Sequence, residues 1–216
     1  MKRILFSLFL AMISLAVSAQ SYWGIRAGWD GTFPGNWKAG DNSIKMYKGG
    51  SGLYAGAIYN YPVVGGLYIE PGAGIYYNTY RYYNFTIVNN GFDGKQIEDP
   101  GIKKFGFRIP VRLGYFFDIF PKGGGVSIYT GPQFDLGVSA KVDISDEDSQ
   151  EFEFERNLYS DFHGLRRFNL SWTVGANMYI GNWVIEVTGA FGLTDLNKSA
   201  ISNRENHLMV GLGYNF

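Results

Sequence analysis

Apolar and polar side chains alternate one for one along much of this chain, in segments of about ten residues separated by turn residues. The last segment shows the pattern plainly. Leu208, Val210, Leu212, Tyr214 and Phe216 fall on one face of a strand, and Met209, Gly211, Gly213 and Asn215 on the other. Eight strands are predicted in this way, over residues 22–32, 52–61, 66–82, 105–118, 125–140, 165–180, 182–193 and 207–216. Each reaches the roughly 9–11 residues with which a tilted strand crosses the hydrocarbon layer.

The connections sort into two lengths. Those at residues 62–65, 119–124 and 181 are short, and those at 33–51, 83–104, 141–164 and 194–206 are long. Short and long alternate strictly, as in bacterial outer-membrane barrels with tight periplasmic turns and extended outer loops. The pattern therefore predicts an all-β fold, an eight-stranded antiparallel transmembrane β-barrel with both termini in the periplasm. A β-sandwich has no reason to sort its connections this way.

Facing can be read from the same period. In the fourth strand Phe105, Phe107, Ile109, Val111, Leu113, Tyr115 and Phe117 share one side, leaving Arg108, Pro110, Arg112, Gly114 and Phe116 on the other. A cation facing lipid at mid-depth costs about 2–4 kcal/mol, so the arginines mark the lumen. The same parity sends Arg26, Glu70, Asp135 and Glu186 inward beside Arg108 and Arg112. Three positive and three negative charges are thus expected to form a lumenal network, because a buried ion needs a partner. Eight strands enclose an interior that side chains can just fill, so no sizeable conductance is expected. Trp23, Trp29, Tyr59, Tyr77, Tyr115, Trp183 and Tyr214 face outward near strand ends, where amphipathic rings suit the membrane–water boundary. The tyrosine-rich stretch from Tyr76 to Tyr83 reads as a strand extension above the bilayer or, alternatively, as a ligand-stacking surface.

The amino terminus supplies an export route. Lys2 and Arg3, an apolar run from Ile4 to Val17 and the small residues Ser18 and Ala19 have the layout of a cleavable signal over residues 1–19, leaving a barrel domain over 20–216. The run falls short of the ~20 residues a spanning helix needs. With no cysteine, the chain can form no disulfide and carries no lipid-attachment thiol. Removing Lys2 and Arg3 leaves 17 basic against 19 acidic residues with no basic stripe, which argues against a nucleic-acid partner.

Candidate chemistry is sparse. His163 follows Asp161, and His207 lies near Ser202 and Glu205. Both histidines read as solvated residues of the outer rim, so no catalytic residue is assigned and an enzyme is not expected. Residues 143–155 hold seven carboxylates, a density suited to hard cations, but without the spacing of an EF-hand loop. They read as a solvated acidic loop, and no metal or cofactor is assigned. Gly123-Gly124-Gly125 precedes a strand with no helix after it, which excludes a phosphate loop.

Several motifs resemble those of the PorT-like outer-membrane β-barrel proteins, also called porin-family proteins. They are Trp23-Gly24-Ile25-Arg26-Ala27-Gly28, Tyr68-Ile69-Glu70-Pro71-Gly72, Phe107-Arg108-Ile109-Pro110-Val111-Arg112-Leu113-Gly114-Tyr115, Tyr129-Thr130-Gly131-Pro132 and the ending Gly211-Leu212-Gly213-Tyr214-Asn215-Phe216. The resemblance spans essentially the whole mature chain. It implies an eight-stranded barrel in the outer membrane of a Gram-negative cell, contacting outer-membrane lipid. It also implies insertion by the barrel assembly machinery, which reads the terminal strand, so Leu212, Tyr214 and Phe216 are the expected insertion signal. It brings no activity and no catalytic residue. The leading expectation is a non-enzymatic barrel with a filled lumen whose long loops contact an envelope or extracellular partner. The alternative is a narrow pore or carrier for small molecules, to which abundant lumenal glycine lends weight.

Overall fold

In the computed structural model, residues 21–39, 42–82, 101–120, 124–143, 157–160, 164–198 and 202–216 are described. The expected signal segment, His163, residues 83–100 and most of the acidic stretch, 144–156, lie outside the described residues. Eight strands close into one antiparallel barrel: β1 (Tyr22–Pro34), β4 (Tyr47–Val64), β5 (Leu67–Tyr82), β6 (Gly101–Phe120), β7 (Gly124–Asp143), β8 (Phe168–Ile180), β9 (Trp183–Gly192) and β10 (Glu205–Asn215). β1 pairs with both β4 and β10, Trp29 lying opposite Leu53 on one side and Val210 on the other, so no edge is left. The predicted all-β, eight-stranded antiparallel architecture is the one observed.

The outside of this barrel is apolar. From Trp23 to Phe33, Leu53 to Tyr61, Leu67 to Tyr77, Phe105 to Phe117, Val126 to Val138, Phe168 to Ile180, Trp183 to Phe191 and Leu208 to Tyr214, every outward position is uncharged. At the turn end the outward rings cluster in pairs, Trp23 with Tyr59 at 4.8 Å and Trp183 with Tyr214 at 5.2 Å between centroids. The outward hydroxyl of Thr130 is partnered: Trp172 Nε1 donates to Thr130 Oγ1 at 2.7 Å.

Two departures from the sequence reading shape the molecule. Residues 37–39 and 42–44 form a small separate hairpin, β2 (Trp37–Ala39) and β3 (Asn42–Ile44), inside a connection expected to lack strands. Three residues per strand are too few for alternation to show. Several strands also run past their expected ends. β4 begins at Tyr47, β6 at Gly101 and β10 at Glu205, and β7 continues to Asp143. β4 continues through Pro62 to Val64 across a register shift and turns at Gly65-Gly66, whose φ values of 55° and 90° suit a two-residue hairpin. As a result β4 to β7 hold 18, 16, 20 and 20 residues, against 13, 10, 11 and 13 in β8, β9, β10 and β1. One side of the barrel stands tall and the other is short.

Segments 157–160, 164–167, 193–198 and 202–204 fill the step between the two heights. Leu158 N donates to Ala140 O of the tall wall at 2.8 Å, Leu165 N to Leu158 O at 3.0 Å and Arg166 N to Leu196 O at 2.6 Å. Their apolar side chains build a small core of Ala140, Tyr159, Leu165 and Leu196, next to a second one of Tyr47, Tyr80 and Ile102. Leu158 packs against both. Together these segments make a roof over the end of the barrel away from the termini.

Candidate functional site: the lumen and its two mouths

Inward positions carry the charges. Arg108, in the middle of β6, points across the lumen. Its Nε and Nη2 donate to the two oxygens of Asp135 at 2.9 and 3.3 Å, and its Nη1 to Asp30 at 2.9 Å. Four residues further along the same face of β6, Arg112 donates to Glu186 at 2.6 and 3.2 Å and to Glu70 at 3.1 Å. Each guanidinium thus holds one carboxylate through two nitrogens and a second through one, which fixes the angle as well as the distance. Tyrosine faces support both: Arg108 lies 4.9 Å from the ring centre of Tyr76, and Arg112 lies 4.5 Å from that of Tyr129. Tyr54 also donates to Glu186, at 3.0 Å.

Five of the six residues singled out in the sequence meet in these two clusters. Arg26 is buried in the same interior, but among the described residues it donates only to Ile25 O, at 3.0 Å, and its Nε and Nη2 find no acceptor there.

Four lumenal groups escaped the sequence reading: Asp30, Lys104, Glu205 and His207. Asp30 shares the parity of Arg26 and was legible by the same rule. Lys104 and Glu205 lie on strand extensions beyond the predicted ends; they pair at 2.5 Å with both side chains buried. His207 corrects the expectation of a solvated rim histidine. It sits inside the barrel, on the face of Met209, with Nδ1 2.9 Å from Asp30 Oδ1 and Nε2 3.7 Å from Glu205 Oε1. Since Asp30 also accepts from Arg108 and Asn78, its oxygens act as acceptors and the Nδ1 proton belongs to the histidine. Ser202 takes no part; its hydroxyl donates to Asp195 at 2.6 Å. Among the described residues, no group of three histidine or acidic side chains is arranged to hold a metal ion.

The tyrosines of the 76–83 stretch also divide between faces. Tyr76 and Tyr80 are buried inward, Tyr77 faces outward, and Tyr83 lies outside the described residues. Four lumenal glycines, which the sequence left as a sign of empty space, instead receive rings. Tyr54, Tyr68, Tyr129 and Tyr159 lie over Gly211, Gly114, Gly175 and Gly137, where a β-carbon would overlap the ring. Tyr159 belongs to the roof, and burial raises its phenol pKa above the ordinary value.

The mouths differ. Under the roof, a cavity of about 10 Å³ lies among Tyr159, Arg166 and Leu196 and the lumenal Lys104, Asp135 and His207. At the turn end, a cavity of about 380 Å³ opens among Tyr22, Asn60, Tyr68, Phe116, Tyr179 and Asn215.

A closed barrel with an uncharged apolar exterior and an ion-paired interior is an integral membrane β-barrel. The chain belongs to the outer membrane protein beta-barrel domain family, whose model matches residues 17–198, and it is an outer-membrane protein. It is similar to the solved structures of three other barrels. These are OprG of Pseudomonas aeruginosa (11% identity over 91% of this chain and 96% of that one, TM-score 0.47), Ail of Yersinia pestis (12%, 92% and 100%, 0.48) and neisserial surface protein A (16%, 92% and 100%, 0.47). No curated protein matches it.

Proposed function

We propose that this protein is a non-enzymatic, non-conducting barrel exported with a signal over residues 1–19, with its termini in the periplasm and its roofed end outside the cell. Within the family we place it with the PorT-like group of Gram-negative envelopes, on the Ile109-Pro110-Val111-Arg112 and Gly131-Pro132 motifs. The lumenal charges Arg26, Glu70, Arg108, Arg112, Asp135 and Glu186 hold the wall in shape rather than move a solute. Leu212, Tyr214 and Phe216 serve insertion by the assembly machinery, and the roofed end presents a surface for an envelope or extracellular protein partner. The observation that carries this reading is the roof, a self-packed cap whose tyrosine ring and apolar core rest directly on the lumenal ion pairs.

The absence of cysteine makes the orientation easy to test. A cysteine at Ser160, exposed in the roof, should react with a membrane-impermeant maleimide on intact cells, and one at Asn182, in a turn at the other end, only after the outer membrane is opened. The reverse labelling would invert the proposed orientation. The 380 Å³ cavity favours a second reading, a narrow carrier filled from the turn end, which requires the roof to open.

A further inference from the structure

One bare stretch of the lumenal wall is faced by cations rather than covered by a ring. Gly56 of β4 lies directly opposite Gly74 of β5, so neither strand puts a side chain into the lumen at that height. Tyrosine rings cover the four glycines described above. A β-carbon on Gly56 or Gly74 would instead meet backbone first, Ala73 O at 2.7 Å and Ala55 O at 2.5 Å. A cavity of about 30 Å³ lies against this patch, and Arg26, Arg108, Arg112 and Gln133 line it from across the lumen. No carboxylate is among its described lining residues.

The three arginines differ in what they hold. Arg108 and Arg112 each bind two carboxylates, whereas Arg26 touches none and has its one contact through Nη1 with Ile25 O. Nε and Nη2 of Arg26 and Nε of Arg112 are buried and find no acceptor among the described residues. The two residues are only 4% and 5% exposed. Glu186 lies within the field of Arg26, but Arg112 and Tyr54 already occupy its oxygens. Gln133 Oε1 also lacks a donor there.

A buried guanidinium without a counter-charge is costly, and water satisfies its N–H groups without neutralising it. An anion does both. Volume limits which anion fits: at roughly 10–15 Å³ per water-sized occupant, the 30 Å³ cavity admits about two, too few for a phosphate or an organic acid.

We infer that this cavity is a resident site for a monatomic, monovalent anion such as chloride, which accepts from Arg26 Nε and Nη2 and from Arg112 Nε. One water beside it donates to Gln133 Oε1. Exchange runs by the turn end, because a β-carbon on Gly24 would lie 2.8 Å from Arg26 Nη1 and 2.7 Å from Asn215 Oδ1, and Asn215 lines the open cavity there. The site belongs to the inside of the barrel, so it holds whichever end faces the cell exterior.

The test uses the purified full-length protein, shown to be folded by its heat-modifiable migration on gels. Urea unfolding is compared in chloride and in gluconate, an anion too large for the cavity, at one total ionic strength. The wild-type unfolding constant should fall about tenfold for each tenfold rise in chloride above its dissociation constant, and stay level in gluconate. Arg26→Gln should reduce that response to less than twofold, and Arg204→Gln, an exposed cation of the roof, should keep it whole. Crystals of the wild-type protein grown in bromide supply a reading that needs no variant to fold: an anomalous peak within hydrogen-bonding reach of Arg26 and Arg112. A wild-type unfolding constant that ignores chloride, an undiminished response in Arg26→Gln, or water without bromide in the cavity would each overturn the inference.

Discussion

The two ends of this barrel are built from the same eight strands and close in opposite ways. At the roofed end the lumenal chain of Asp135, Arg108, Asp30, His207, Glu205 and Lys104 is covered by Tyr159 and Leu196, with a cavity of about 10 Å³ among them. At the turn end the ion pairs stop at Glu70, and Tyr22, Tyr68 and Tyr179 ring an open cavity. The difference follows from strand length. The extra residues of β4 to β7 rise beyond the short wall, and there the segment at 157–160 leans against the wall through Leu158 and Ala140. The two-residue turns at Gly65-Gly66 and Gly181-Asn182 leave no chain to spare at the other end. Close cover over the lumenal charges is therefore found at one end among the described residues, with the charged clusters as the layer beneath it.

The most damaging way to break the packed end is to remove the cation shared by its carboxylates. Arg108→Met leaves Asp135 without its guanidinium and takes one partner from Asp30, and should lower unfolding stability in urea by about 3–5 kcal/mol, followed by tryptophan fluorescence. A loss under 1 kcal/mol would mean that water reaches these groups.

A matched pair of glycine substitutions sharpens the contrast between the ends. Gly137→Ala drives a methyl into the Tyr159 ring, which is held in the roof's core by Ala140, Leu165 and Leu196, and should cost about 2–3 kcal/mol. Gly114→Ala meets Tyr68, which can swing into the 380 Å³ cavity and lose little more than its hydrogen bond to Ser127, so about 1 kcal/mol is expected. Equal costs would show that the cavity offers no relief. Smallest should be Tyr68→Phe, which removes only that hydrogen bond and should lower stability by about 0.5 kcal/mol in the same assay.

Sequence alone made the membrane-crossing part of the fold legible, because lipid on one side and a crowded lumen on the other enforce a period of two. Where β4, β6 and β7 run beyond the apolar belt that pattern ends. Lys103 and Lys104 are neighbours on opposite faces, and Gly49-Gly50 carries no facing signal at all, so the extensions were missed. Lys104 and Glu205 were missed with them. His207 was misplaced for a related reason: nearness to polar neighbours in sequence outweighed the parity it shares with Met209. Arg26 was placed inside correctly by parity, but parity cannot say which carboxylate an arginine reaches. The roof was illegible because Leu158, Leu165 and Leu196 have no period and find one another only across the mouth of the barrel.

The central claim is that this lumen is closed, and current through the folded protein tests it most directly. In planar bilayers, protein verified as folded by heat-modifiable migration should give no conductance steps above the bare-membrane baseline. Steady, porin-like current from the same preparation would contradict the account.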